Sequence, residues 1–368
     1  MSSTEDTGIK RVLVYGMSDN PGGIETYLLN LVKVARDSNV CFDFVTDFPE
    51  IAYKEELLKA GGKIYYIPAK SKRLFQQWRA LRKILKEHSE YHSVYFNILN
   101  AGAVFTMAVP WCMRRKIIVH SHNGSADNIR FHNLCRPFMV AMSSEFVSCS
   151  RLAAEFMFGK KAAKKKDVLI IPNAIDAGKY DFQKSIRDEE RKKLKIENKF
   201  VLCHIGRIVY QKNPKGVVDI LKQCQKSLKD TILLWAGEGD MKEEVEEYAK
   251  EQGVFEQIRF LGVRRDVYRL LQAADCFILP SIYEGLPIVA IEAQAAGLPC
   301  LLSDRITRET KITQLAEFLP INDLKMWEQA IAESKSCIRT SRKKEIINAG
   351  YDLRHQRENI DKLLQKIL

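Results

Sequence analysis

The sequence predicts an α/β protein built from two doubly wound domains. Three observations carry this reading. The chain has 368 residues, more than one hydrophobic core ordinarily serves. Short β-rich runs alternate with helical patterns from end to end. Many of those runs are continuously apolar, as parallel strands covered on both faces must be.

The predicted strands of the first half are Arg11–Tyr15, Cys41–Val45, Ile64–Ile67, Val94–Asn97, Ile117–His120, Phe146–Cys149 and Val168–Ile171. Those of the second are Phe200–Ile205, Ile232–Ala236, Ile258–Leu261, Cys276–Leu279 and Cys300–Leu302. Twelve strands exceed one doubly wound sheet of ordinary width. Between them, Ile24, Tyr27, Leu28 and Leu31 repeat with a helical period, as do Leu74, Phe75, Trp78, Leu81 and Leu85. The segment Asp176–Asn198 is polar and strandless, and is read as the interdomain linker. The tail from Ser341 reads as one or two polar helices. The domains predicted are residues 1–178, residues 179–345 and a closing helix, 346–368, that crosses back to the first domain.

Composition excludes several classes. With 46% hydrophobic and 28% charged residues, disorder is not the default. The formal charge is +12, and it is uneven: residues 1–180 hold 26 basic against 17 acidic side chains, and the remainder 32 against 29. A basic first half suits an anionic partner, whether nucleotide, lipid-linked phosphate, membrane or nucleic acid. Nine scattered cysteines, with no CxxC pair and no zinc-like cluster, point to a reducing compartment. The start, Met1–Asp6, lacks an apolar signal region. The longest apolar stretch, Ala101–Met113, is shorter than the roughly 20 residues a span needs. The expected location is therefore cytoplasmic.

Open α/β sheets bind ligands beyond the carboxyl ends of their strands, so the residues just after strands are the candidates. Pro21-Gly-Gly-Ile-Glu25 follows the first strand and opens a helix. Gly22 and Gly23 permit close backbone approach, and free amides at a helix start suit an anion. Gly206-Arg207 and Lys212-Asn213 follow the strand Phe200–Ile205. A forked guanidinium and a compact ammonium there can grip a diphosphate; the bland reading is an exposed basic loop. In Pro280-Ser-Ile-Tyr-Glu-Gly-Leu-Pro-Ile-Val-Ala-Ile-Glu292, Glu284 is expected at a helix entrance and Glu292 two turns deeper on the same side. A carboxylate among Ile, Val and Ala is costly without partners, and two ribose hydroxyls would supply them. The bland readings are a dipole-complementing acid for Glu284 and a structural ion pair for Glu292. Val119-His-Ser-His-Asn123 closes a strand; His120 and His122 project to one side and Ser121 to the other. No nearby carboxylate or cysteine completes a metal set.

In order and spacing these motifs resemble the retaining glycosyltransferases of family 4. Ile171-Pro-Asn-Ala-Ile-Asp176, Ala236-Gly-Glu-Gly239 and Phe260-Leu-Gly-Val-Arg-Arg-Asp266 add to the resemblance, which spans nearly the whole chain. The His-Ser-His-Asn form resembles a subgroup serving bacterial capsule and exopolysaccharide assembly. Ala174 departs from the glycine usual in that family's Pro-Asn-Gly segment.

The resemblance implies the GT-B fold, two Rossmann-like domains facing a central cleft, and a hexosyltransferase-type enzyme. It implies a nucleotide-sugar donor, most simply a UDP-sugar, a saccharide or lipid-linked acceptor, and no metal or other cofactor. Arg207 and Lys212 would bind the diphosphate, Glu292 the ribose, and Glu284 the donor sugar. Gly22, Gly23 and Gly206 would approach the phosphates. The turn through Gly285 and Leu286 would add amides, and the backbone around Val263 would border the base. His122 matches the family's active-site histidine. Glu25, His120 and Asn123 are candidate acceptor or sugar contacts. The departing phosphate would take the acceptor's proton, with retention, and domain closure would exclude water.

Competing readings are a GT-B sugar-nucleotide epimerase, and a non-catalytic nucleotide- or nucleic-acid-binding protein. No recognised nucleic-acid motif accompanies the charge. Two basic segments suit peripheral contact with anionic membrane: Lys72–Lys86, carrying Arg73, Arg79, Arg82 and Lys83, and the run Lys160, Lys161, Lys164, Lys165 and Lys166. In the first, Trp78 and its neighbours are expected to pack on the sheet.

Overall fold

The computed structural model describes residues 9–126, 128–165 and 167–368, apart from the side chains of Lys72 and Lys165. The readings made at Met1–Asp6 and Lys166, and those of these two side chains, lie outside the described residues. The chain forms two compact units. The first runs through Ala174 and takes back Leu353–Leu368; the second is Ile175–Asp352.

The first unit holds a seven-stranded sheet: β1 (Lys10–Tyr15), β2 (Val40–Thr46), β3 (Ile64–Tyr66), β4 (Ser93–Ile98), β5 (Lys116–Ser121), β6 (Glu145–Ser148) and β7 (Leu169–Ile170). The order is β3-β2-β1-β4-β5-β6-β7, with every pairing parallel. The second holds β8 (Phe200–Ile205), β9 (Thr231–Ala236), β10 (Ile258–Phe260), β11 (Cys276–Leu279), β12 (Cys300–Ser303) and β13 (Ala316–Leu319). Their order is β10-β9-β8-β11-β12-β13, again parallel. The two orders reverse direction at the same place, between β1 and β4 and between β8 and β11. Those are the switch points where doubly wound sheets take ligands.

Each sheet has a core on both faces. Leu13 and Tyr15 of β1 join Leu81, Leu85 and Met107 on one side. Val12 and Val14 join Tyr27, Leu28 and Leu31 on the other, together with Ile360, Leu363 and Ile367. The last three belong to the closing helix Gln356–Ile367. Fully burying each such side chain contributes about 2 kcal/mol. Glycines stand where backbones crowd just past the strand ends, Gly16 between β1 and β4 and Gly237 between β8 and β9. A Cβ on Gly16 (φ +111°) would lie 1.9 Å from the Asn97 carbonyl oxygen. One on Gly237 (φ +144°) would lie 2.0 Å from that of Gly206. No L side chain fits either position.

Four expectations are corrected. Asp176–Asn198 is not a linker: it contains the helices Ala177–Tyr180 and Lys184–Leu194, inside the second unit. Its charges are paired locally. Arg191 Nη1 donates to the Ala273 carbonyl at 2.8 Å, Arg187 pairs with Asp275, and buried Glu190 accepts from Arg269 Nε at 2.8 Å. Helix Lys343–Asn348 stays with the second unit, so the return to the first begins at Leu353. β13 had no counterpart among the predicted strands, because Ala-Glu-Phe-Leu at a sheet edge exposes its glutamate and offers only a short apolar signal. Finally, Leu81 and Leu85 of helix Lys70–Glu87 pack on the sheet as expected, but Phe75 is 80% exposed.

Candidate active site

In the second unit the loops after β8 and β11 meet. A short 3-10 turn, Tyr210–Lys212, follows β8. Its Gln211 carbonyl accepts the Ile282 amide at 2.9 Å, and Gln211 Nε2 donates to the Tyr283 carbonyl at 3.1 Å. These bonds fix the register of the two loops. Lys212 Nζ then reaches the Glu284 carboxylate in a close ion pair, with both side chains largely buried. Gln211 Nε2 lies 3.4 Å from the other carboxylate oxygen. Gly206 lies under the lysine: a Cβ there would touch Lys212 Cδ at 3.3 Å. Arg207 is exposed, and no bond to its guanidinium is found among the described residues.

The helix carrying Glu292 begins at Ile288, with Pro287 at its N-cap. Glu284 is therefore in the preceding turn and not at the helix entrance, and the expected two-turn helical spacing does not apply. Proline, which lacks an N–H and disfavours αR for the residue before it, sets the boundary. Neither bland reading holds: Glu284 is paired with Lys212, and Glu292 has no salt bridge among the described residues. Glu292 is 7% exposed inside an apolar helix. Burial pushes its carboxyl up to about 7, against a hydrogen bond from Tyr180 and the charge of Lys179. Gly285 and Leu286 are buried in the turn, whereas Val263 is 44% exposed beside Gly262, whose carbonyl accepts the Gly237 amide at 2.8 Å.

In the first unit Gly22 caps helix Gly23–Val34. A Cβ on Gly22 would approach Glu25 Oε2 to 2.7 Å, while Gly23 faces more open space, with Asn173 Nδ2 3.9 Å away. Glu25 is buried and holds the loop: its Oε1 accepts the Ser18 amide at 2.9 Å and the Ser18 hydroxyl at 2.7 Å. Asn123 is also buried, its Oδ1 accepting the Gly124 amide at 3.0 Å.

The histidines do share one side of β5. Their ring centroids lie 4.0 Å apart, while the Ser121 hydroxyl donates elsewhere, to the Ala153 carbonyl at 2.9 Å. His120 is fully buried, with Nδ1 2.5 Å from the Tyr95 hydroxyl, which is 2.9 Å from that of Tyr27. His122 Nε2 donates to Asn97 Oδ1 at 2.9 Å. That bond puts the proton on Nε2 and leaves Nδ1 as a lone pair. His120 Nε2, His122 Nδ1 and Asn97 Nδ2 are buried without a partner among the described residues. Desolvation pulls His120 well below the usual imidazole range, helped by His122, and pulls His122 to about 3. Both rings are therefore neutral near pH 7. Sequence reasoning did not select Tyr27, Tyr95, Asn97 or Gln211. Asn97 carried a readable signal, a polar residue ending an apolar strand; the tyrosines looked like core.

Two families match the chain. One described as Glycosyltransferase Family 4 matches residues 21–179, and one described as Glycosyl transferases group 1 matches residues 186–344. The chain is a GT-B-fold glycosyltransferase. It is 29% identical to the putative glycosyltransferase EpsF of Bacillus subtilis over 96% of this chain and 95% of that one. It is 31% identical to an Escherichia coli UDP-Gal:alpha-D-GlcNAc-diphosphoundecaprenol alpha-1,3-galactosyltransferase, over 37% of this chain and 36% of that one. Among solved structures, Anabaena HepE in complex with UDP-glucose superposes with a TM-score of 0.79 at 19% identity, over 96% of this chain and 99% of that chain. Sucrose-phosphate synthase from Thermosynechococcus elongatus gives 0.78 at 14%, over 97% and 98%. These structural likenesses bear on the transferase's fold. No helix among its described residues is long and apolar enough to cross a membrane.

Proposed function

We propose that this glycosyltransferase moves a hexosyl group from a UDP-sugar to a hydroxyl of a saccharide or lipid-linked saccharide, without a metal and with retention, in bacterial surface-polysaccharide assembly. The observation that carries the reading is the Lys212–Glu284 pair, locked by Gln211 at the β8/β11 switch point beside the unpaired Arg207. When the anomeric C–O bond breaks, its electron pair passes to the diphosphate. A preorganised ammonium and guanidinium stabilise that charge as it forms. The acceptor oxygen bonds to the anomeric carbon, and its proton goes to the departing phosphate. Glu292, buried and in no salt bridge among the described residues, gains compensation by accepting two ribose hydroxyls. The neutral edge of His120, His122 and Asn97 offers unpartnered atoms that match sugar hydroxyls.

The UDP assignment draws on relatives whose names carry UDP-sugars, and the polysaccharide role on a Vi polysaccharide biosynthesis protein of Salmonella typhi and a lipopolysaccharide core biosynthesis glycosyltransferase of Rhizobium meliloti. No disulfide joins any of the nine cysteines among the described residues, and six are buried, which fits a reducing cytoplasm.

The test is calorimetric binding of UDP-, GDP-, ADP- and CMP-sugars in EDTA, with Glu292→Ala and Arg207→Ala alongside. Selective UDP-sugar binding, weakened tenfold or more by each substitution, is expected. Binding that requires a divalent metal, favours another base or ignores both substitutions would overturn the reading.

A further inference from the structure

Three neighbouring helices of the first unit expose a continuous aromatic ridge. They are Lys70–Glu87, Val104–Cys112 and Ile129–Met142, following β3, β4 and β5. Phe75 packs edge-to-face on Trp78 with centroids 5.6 Å apart. Trp78 Nε1 donates to the Phe105 carbonyl at 2.7 Å. The Phe105 ring stacks on Phe131 at 6.2 Å. Leu134 and Phe138, three and seven residues after Phe131, extend the same helical face. Phe75, Leu134 and Phe138 are 80%, 68% and 61% exposed. Side chains of this size, exposed together and in contact, are unusual on a soluble surface and mark an interaction site.

Charge identifies the occupant. The three helices together contain a single acidic residue, Glu87 at the end of the first, whose carboxylate lies 3.8 Å from Lys83 Nζ. Among the aromatics stand exposed Arg73, Arg79, Arg82, Lys83 and Arg130. Aromatic side chains among cations that outnumber the one acidic residue match an anionic bilayer surface: rings settle at the headgroup level and cations meet the phosphates.

Position gives the ridge a use. Phe75, Phe105 and Phe131 all lie in the first two turns of helices that follow strands. They therefore stand at the carboxyl edge of the sheet, where β5 ends at Ser121 and His122 follows.

We infer that the aromatic and basic ridge of Phe75, Trp78, Phe105, Phe131, Leu134 and Phe138 docks the enzyme on anionic lipid, presenting the His122 edge to an acceptor held in the membrane. Only the acceptor clause rests on the proposed function. The basic run near Lys160 is not part of this ridge.

The experiment is co-sedimentation of the full-length protein with phosphatidylcholine vesicles, with and without 30% phosphatidylglycerol. The variant is Phe75→Ser/Leu134→Ser/Phe138→Ser, which touches only the most exposed side chains. UDP-sugar calorimetry and gel filtration run in parallel. The expected result is binding to the anionic vesicles, weak binding to the neutral ones, and a loss of tenfold or more in the triple variant with donor affinity unchanged. An Arg79→Glu/Arg130→Glu variant should lose the anionic preference while keeping its fold. Equal binding of wild type and triple variant overturns the proposal, as does no binding to anionic vesicles. A wild-type dimer that the triple variant converts to monomer also overturns it, assigning the ridge to self-association. In all three outcomes an intact donor isotherm leaves the donor assignment standing.

Discussion

The carboxyl edges of the two sheets are built to the same topology and furnished with opposite chemistry. Beyond β8 and β11 the polar groups of the candidate site include ionisable ones of both signs: Lys212, Glu284 and Glu292, whose carboxyl is pushed up by burial. Beyond β4 and β5 they are neutral rings and amides: His120, His122, Tyr95 and Asn97. The charged edge suits a diphosphate through Lys212 and the exposed Arg207 beside it. The neutral edge suits a sugar, whose hydroxyls ask for donors and acceptors and would gain nothing from a net charge. If the proposed function holds, an equivalent fold separates the leaving group's electrostatics from the sugar's hydrogen bonding.

The most severe way to break this contrast is to leave one charge of the ionic edge alone. Lys212→Ala strands the Glu284 carboxylate, and Glu284→Ala strands the ammonium. Uncompensated buried charge costs on the order of 3 kcal/mol. Both variants should therefore unfold at lower temperature and lose at least a hundredfold in transfer rate. Lys212→Ala/Glu284→Ala should recover thermal stability relative to Lys212→Ala while staying inactive. Differential scanning fluorimetry and a coupled UDP-release assay read both effects. If Lys212→Ala retains wild-type turnover, the ion pair is structural and the leaving-group role fails.

The neutral edge breaks more gently. Asn97→Ala frees the His122 ring to rotate and lose its tautomer, so kcat should fall about tenfold with KM little changed. A purely structural role would move stability and leave the pH profile alone. The sharper variant is Asn97→Asp, which sets a carboxylate 2.9 Å from Nε2 in place of the amide oxygen. His122 sits at about 3 in the native protein, so no imidazole limb should appear in the pH–rate profile between pH 5 and 8. In the variant, the new carboxylate favours the charged imidazolium and raises its pKa, so a limb should enter that window. A wild-type limb near pH 6.5 from His122 would contradict the buried neutral ring.

How much of this was legible beforehand varies with the kind of interaction. Strand cores were readable because parallel strands are apolar on both faces, and twelve runs matched elements of the two sheets. β13 was not, because edge strands carry little apolar signal. Gly206, Lys212 and Glu284 were readable as residues after strands, yet nothing local in the sequence says that residues 72 positions apart form an ion pair. The boundary at Pro287 was available from proline's own geometry, and the helical spacing of Glu284 and Glu292 failed for want of applying it. Tyr95 looked like any strand tyrosine. Its role comes from lying between Tyr27 and His120, a relation created only when β4 and β5 pair. Glu25 looked like a site residue and is engaged by Ser18, because its helix starts close enough for the carboxylate to close the loop.

The effect of Glu292 is graded by pH, and its sign is informative. Its folded-state value is raised from 4.5 to about 7, so folding favours the protonated acid. The associated stability is fully present below pH 4.5 and drains away as pH rises through 7. Each pH unit in that window costs at most about 1.4 kcal/mol, or about 3 kcal/mol in all. Glu292→Gln keeps a polar group for Tyr180 and removes the ionisation. It should leave stability near pH 4.5 almost unchanged and raise the melting temperature by a few degrees at pH 8. Donor binding should run the other way. Ribose hydroxyls prefer the carboxylate, so wild-type affinity should fall as pH drops below 7, by at most tenfold per unit, and the Gln variant should bind weakly and without that slope. Melting curves and UDP-sugar calorimetry from pH 5 to 8 check both. A Gln variant that binds as tightly as wild type at pH 8 would remove Glu292 from the donor site. The neutral edge, with both imidazoles uncharged in the folded protein throughout this range, should contribute nothing to the binding slope; in the melting curves both histidines lower stability below about pH 6.5, where only the unfolded chain protonates them, and they do so equally in wild type and the Gln variant.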